Sequence, residues 1–173
     1  PSECLLGNRK DDALLHNLKK WCTFAALMHN SAFTMHHHVV AAIIVHEGRV
    51  LCMQRGQTKY PYTAFKWEFP GGKIEPGELA EDALHREIRE EMEMEIIIQR
   101  HFTTHHHVYP DFEVTLEFYL CRGGERLDEQ GMPAFTMREH NAFCWCPVAD
   151  LHTLDWVAAD RPVIRQIQQM HDF

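Results

Sequence analysis

Apolar and polar positions recur along this chain with two different periods. Val39 to Val45 is a continuous apolar run rich in β-branched residues, the pattern of a strand buried on both faces. Glu47-Gly48 marks a turn, and Arg49 to Gln54 reads as a second strand that closes a hairpin. Trp67 to Phe69 is a short strand that ends at Pro70-Gly71-Gly72. From Leu79 to Met92 the period lengthens. Leu84, Ile88 and Met92 recur at helical spacing and predict one apolar stripe. Pro76-Gly77 precedes this helix with the residue types of the two central positions of a type II turn. Two further strands, Ile96 to Thr104 and Phe112 to Cys121, are joined across Pro110-Asp111. In the second, Phe112, Val114, Leu116 and Phe118 alternate with polar residues. Gly123 to Met137 reads as a turn-rich loop, Ala142 to Cys146 as a strand, and Pro162 to Met170 as a closing helix with proline at its first position. Strands and helices mix without regular alternation, so the expected class is α/β with a mixed sheet and packed helices.

Residues 1–34 stand apart as an N-terminal extension. Leu14, Leu15, Leu18, Trp21 and Cys22 have helical spacing there, and Met35 is the expected start of the main domain, residues 35–173. A chain of 173 residues has room for one ordinary domain. The six cysteines, at 4, 22, 52, 121, 144 and 146, form no CxxC pair and read as free thiols of a reducing compartment. Cys144 and Cys146 share one strand face. No apolar run approaches the ~18–20 residues of a membrane span, so the expectation is a cytoplasmic protein with no membrane contact. Four histidines, His101 and His105-His106-His107, invite a metal reading, but neighbours on a strand point to opposite faces and do not converge.

Asp and Glu number 25 against 17 Lys and Arg, a net charge of −8. That balance disfavours a duplex held by phosphate contacts, and no direct nucleic-acid binding is expected. The acid is concentrated. Glu81, Asp82, Glu87, Glu90 and Glu91 lie on the predicted helix, with Glu93 and Glu95 just beyond. Glu87, Glu90 and Glu91 project together, because residues three and four apart share a helix face. Gly71-Gly72-Lys73 precedes the helix as a small-residue loop, where backbone approaches a ligand closely and an ammonium meets a phosphate. Carboxylates and a backbone carbonyl are hard donors suited to Mg²⁺ or Mn²⁺.

The spacing of these residues resembles a known family. Gly72, five residues, Glu78, seven residues, then Arg86-Glu87-Ile88-Arg89-Glu90-Glu91 matches the Nudix box G-x5-E-x7-R-E-U-x-E-E-x-G-U, where U is aliphatic. Met94 fills the last aliphatic place. Glu93 stands where the motif has glycine, which predicts an altered helix terminus. The flanks resemble the MutT-like branch: Leu51 to Arg55, Trp67 to Lys73, Arg138-Glu139-His140, and Leu154 through Val163. The resemblance covers about residues 38–173 and implies the Nudix fold, an α/β/α sandwich with a mixed β-sheet. It implies that Glu87, Glu90 and Glu91, with the Gly71 carbonyl and Glu139, hold Mg²⁺, Mn²⁺ being the alternative. Glu78 and Arg86, eight apart, would tie loop to helix beside Gly72.

The same resemblance implies hydrolysis of a (deoxy)nucleoside triphosphate to the monophosphate and pyrophosphate, a cleansing of the nucleotide pool. A general base is needed, and Glu90, Glu91 and Glu139 are all candidates. Arg55 and Lys73 are candidates for the phosphates. Asp160 and Phe69 are candidates for the base. A carboxylate accepts from an exocyclic amine such as cytosine N4, and a protonated one donates, so cytidine nucleotides and 8-oxo-dGTP both stay open. Asp160 as a helix N-cap is the competing reading. The partner is a small nucleotide, and the protein a monomer or homodimer. Two alternatives remain: the same chemistry on another nucleoside diphosphate derivative, and a non-catalytic Nudix-fold nucleotide sensor.

Overall fold

The computed structural model describes residues 35–170. The helix expected over Leu14 to Cys22 lies outside them. Strand β1 is Met35–His46, β2 Arg49–Gln54, β3 Trp67–Glu68 and β4 Gly71–Lys73; helix α1 is Ala80–Met92. Strands β5 (Ile96–Val108), β6 (Phe112–Gly123) and β7 (Ala142–Pro147) follow, then a 3-10 turn at Val148–Thr153 and helix α2, Arg161–Gln168. The strands form one mixed sheet of order β3-β2-β1-β6-β5, with β4 paired to β1 and β7 to β2.

Two apolar layers sit on opposite faces of this sheet. Val40, Ala42, Ile44, Leu51 and Met53 meet Leu84, Ile88 and Met92 of α1. The alternate residues Ala41, Ile43, Val50 and Cys52 meet Val163, Ile164 and Ile167 of α2. The period-2 arrangement of side chains on β1 and β2 therefore explains the unbroken apolar runs, because both faces are covered. The architecture is the expected α/β/α sandwich. Among the described residues no helix is long and apolar enough to cross a membrane.

The β1–β2 turn has Glu47 and Gly48 both at positive φ, 46° and 71°, as a two-residue type I′ hairpin requires. The turn before α1 also forms as expected: Gly77 has φ 85°, and Glu78 N donates to Glu75 O at 3.0 Å.

Three expectations need correction. Gly71-Gly72-Lys73 is a strand and not a loop, in register with Ala41, Val40 and Val39. Glycine is a poor strand former, so composition suggests a loop. The tight approach demands it, since a Cβ on Gly71 would lie 2.1 Å from the Val40 carbonyl oxygen. Strand β5 runs on to Val108, because His105, His106 and His107 pair with Leu116, Thr115 and Val114 across the ladder. The terminus of α1 is not altered by Glu93: that residue takes the left-handed conformation itself, φ 50° and ψ 30°, and its N–H donates to Arg89 O at 3.0 Å. A smaller shift places Pro162 at the second position of α2, since that helix starts at Arg161.

Candidate active site

The Glu78–Arg86 relationship is built by the turn before α1. Arg86 Nε donates to Glu78 Oε1 and its Nη2 to Glu78 Oε2, both at 2.8 Å. The same Nη2 donates to the Lys73 carbonyl at 3.0 Å. One guanidinium thus ties β4, the turn and the helix together. The fork holds the Glu78 carboxyl down at about 2, first through the hydrogen bonds from Arg86.

Arg86 also reaches the next carboxylates. Its Nη1 lies 2.8 Å from Glu87 Oε1 and 3.6 Å from Glu90 Oε2. A guanidinium therefore sits between two members of the expected metal trio. Among the described residues no three His, Cys, Asp or Glu side chains already converge on a single ion-sized point. The donor set nonetheless fits a hard cation. A Cβ on Gly72 would meet the Glu87 carboxyl carbon at 2.3 Å, so glycine leaves the space that this carboxylate fills. Glu91 Oε2 is buried with no hydrogen-bond partner, a costly arrangement for an oxygen with nothing to bind. Burial pushes the Glu91 carboxyl up to about 7, only partly opposed by His140.

A cavity of about 540 Å³ opens beside these groups. It brings together Arg55, Phe69, Gly71, Gly72, Lys73, Glu91, Glu139 and Asp160. Glu87 and Glu90 are not among its lining residues. Glu90 is well exposed, 63% of its side chain, on the outer side of the cluster. Glu139 is exposed on the loop before β7, and Lys73 is exposed on β4. Arg55 is not a free cation: it forms an ion pair with Glu68 on β3.

Asp160 is 2% exposed and accepts the Phe69 N–H at 3.0 Å through Oδ2. Burial, with the Glu68 charge adding to it, raises its carboxyl to about 8. It stands at the N-cap position of α2 but makes no side-chain cap bond, so the capping reading fails. Phe69 departs from expectation as well. Its ring is 3% exposed and packs on Trp156 and Phe118, with centroids 4.9 and 5.9 Å away. A ring held in that way is core, and it is the backbone of Phe69 that serves the site.

Several lining residues show no role in the sequence alone. His140, 9% exposed, sits between Glu68 Oε1 at 3.1 Å and Glu91 Oε2 at 3.9 Å. Glu68 thereby links Arg55 and His140. The one signal of Glu68 in the sequence is a charge inside the apolar run Trp67-Glu68-Phe69. Part of the lining is aromatic: Phe112 lies 5.0 Å from Tyr60 and 4.8 Å from Tyr109, centroid to centroid. Tyr60 belongs to a segment that reads as plain loop, and only the fold brings it to the tip of the β5–β6 hairpin.

Comparison with known proteins decides the family. The NUDIX domain model matches residues 35–167. The chain belongs to the Nudix hydrolase family. Within it, a Mycobacterium tuberculosis protein provisionally named 8-oxo-dGTP diphosphatase 2 is 37% identical over 71% of this chain and 82% of its own. The CTP pyrophosphohydrolase of Escherichia coli K12 is 31% identical over 73% of this chain and 87% of its own. Among solved structures, the Nudix protein MutT of methicillin-resistant Staphylococcus aureus 252 is 34% identical, with TM-score 0.59 over 79% of this chain and 98% of that one. The Nudix box of this chain is thus the β4–turn–α1 unit described above, and Nudix hydrolases as a class need a divalent metal.

Proposed function

We propose that this Nudix hydrolase splits (deoxy)nucleoside triphosphates into the monophosphate and pyrophosphate with Mg²⁺, and clears 8-oxo-dGTP or CTP and modified dCTP from the nucleotide pool. The activities for which its relatives are named support the reaction class. The observation that carries the reading is the cavity, whose lining joins the acids Glu91 and Glu139 and the cations Arg55 and Lys73 to the rings of Tyr60, Tyr109 and Phe112 and to the buried Asp160.

Glu87, Glu90, Glu91 and the Gly71 carbonyl are the proposed metal set, with Glu139 able to join from its loop. When bound, the cation would lower the pKa of the attacking water and neutralise charge on the phosphates. Arg86 keeps its fork on Glu78, which holds the helix against β4. Glu91 is the proposed proton acceptor. Its Oε2 lies buried without a hydrogen-bond partner beside the other acids of the cluster, free to take a proton from water. Glu90 and Glu139 are exposed and stay near solvent.

Lys73 faces the same cavity as an exposed ammonium for phosphate. Arg55 reaches a phosphate by giving up Glu68. In the same cavity, protonated Asp160 offers a donor and an acceptor to the edge of a base, and Tyr60 and Phe112 offer ring faces for stacking.

The test is pyrophosphate release across normal, methylated and oxidised (d)NTPs, ranked by kcat/KM. Equal rates for all of them would refute base reading by Asp160. Undiminished hydrolysis by Glu90→Gln in the presence of Mg²⁺ would remove the reaction from this cluster.

A further inference from the structure

Cys52 on β2 and Cys144 on β7 are direct partners across the antiparallel ladder. Residues opposed in this way have Cα atoms about 4.5–5.5 Å apart, inside the roughly 4.4–6.8 Å that a disulfide spans. Both side chains leave the sheet on the α2 face: Cys52 belongs to that core, and Cys144 packs against it. Cys52 is fully buried, whereas Cys144 is half-buried and reachable from solvent. Both are free thiols. Cys52 Sγ donates to the Val50 carbonyl at 3.4 Å, and the closeness of the two thiols lowers the proton affinity of Cys144 and raises that of Cys52. Cys146 opposes Val50 instead. None of the three lines the cavity, so the hydrolytic site makes no use of them.

We propose that Cys52 and Cys144 are an oxidation site, a thiol pair that a hydroperoxide converts into a cross-strand disulfide. The Cys144 thiolate attacks the peroxide oxygen, the O–O bond breaks, and the sulfur becomes a sulfenic acid while hydroxide or alkoxide leaves. Cys52 sulfur then attacks that sulfur, the S–O bond breaks, and the Cys52 proton leaves with the hydroxide as water. Two electrons pass from the two sulfurs to the peroxide, and with hydrogen peroxide two waters result. The bond would lie two rungs from the Gln54–Ala142 pair that ends the ladder. There Asn141 N donates to Gln54 O at 2.8 Å. The oxidised form therefore ties together the strand ends that lead to Arg55 and His140.

The full chain is treated with hydrogen peroxide, digested without reduction and mapped by mass spectrometry. The peptide holding Cys52 is expected to be linked to the peptide holding Cys144, with two hydrogens lost and the link reversed by dithiothreitol. The link is expected to vanish in Cys144→Ser. In Cys52→Ala, dimedone is expected to trap Cys144 as sulfenic acid. Mapping of the parent chain alone decides the matter, so a poorly folding variant does not. The proposal is overturned if peroxide leaves Cys52 and Cys144 unlinked, whether free or over-oxidised, or if Cys144 is joined to any other cysteine.

Discussion

The backbone N–H of Phe69 donates to Asp160 Oδ2 at 3.0 Å, and this bond locks the strand before the Nudix box to the residue that opens α2. It also leaves a fully buried carboxyl whose ordinary value of 3.8 is raised to about 8 by burial. Asp160 is therefore protonated in the folded chain and ionised in the unfolded chain between about pH 4 and pH 8. Its contribution to stability is fully present below the lower value and is lost as pH rises through that window. Asp160→Asn is expected to flatten this loss, so that its Tm gains on that of the parent between pH 5 and pH 8. Thermal unfolding across that range checks it. Asparagine resembles the protonated acid, so hydrolysis by the variant should persist above pH 8, where the parent declines.

Glu78 and Arg86 call for the opposite sign. The Glu78 carboxyl is held at about 2 by the guanidinium fork. That stabilisation is present above the ordinary carboxylate value of 4.5 and is lost as pH falls through about 2. Glu78→Gln is expected to unfold at nearly the same temperature as the parent at low pH and to fall behind at neutral pH. Loss of the tie also frees Arg86 and the Lys73 carbonyl. Displacement of a catalytic group by about 1 Å costs on the order of 100-fold in rate, so kcat should fall much more than KM rises.

Helical periodicity and turn chemistry make part of this site legible in the amino-acid sequence. The stripe Leu84, Ile88, Met92 is fully buried as its spacing foretells, and the Glu78–Arg86 pair forms at its motif distance. These features are local. What escapes a reading of the sequence is non-local. Gly71-Gly72-Lys73 pairs with β1 some thirty residues away, and its glycines are explained only by the Val40 carbonyl beside Gly71 and the Glu87 carboxylate beside Gly72. His140 meets Glu68 across a separation of 72 residues, so no spacing rule could place them together. Phe69 misleads for the same reason: an aromatic beside a motif looks like a platform until Trp156 and Phe118 cover it.

His140 is the residue whose removal should move the pH profile. Its ring lies 3.9 Å from Glu91 Oε2, and its charge opposes the rise of the Glu91 carboxyl. His140→Gln removes that opposition, so Glu91 binds its proton more tightly. The acid limb of the kcat profile is expected to shift to higher pH, with the plateau reduced. A limb that stays in place would show that Glu91 does not set it.

Glu93 tests the terminus of α1. The left-handed region costs a residue other than glycine about 1–2 kcal/mol. The Glu93–Arg138 ion pair offsets part of that, although both side chains are more than 40% exposed, and exposed pairs contribute only about 0–1 kcal/mol. Glu93→Gly should therefore raise Tm slightly, and more so in high salt, where the ion pair of the parent is already screened.

The aromatic wall separates binding from chemistry. Phe112 lies within 5.0 Å of the rings of both Tyr60 and Tyr109 and lines the same cavity as Glu91. Stacking of a base on an aromatic ring is worth about 1–3 kcal/mol by alanine substitution. A ring that only holds the base contributes equally to ground and transition states. Phe112→Ala should therefore raise KM by about tenfold and leave kcat nearly unchanged. Phe112→Tyr, which keeps the ring face, should recover most of the loss. A fall in kcat with KM unaffected would mean that the base sits elsewhere and that Phe112 acts by shaping the β5–β6 hairpin.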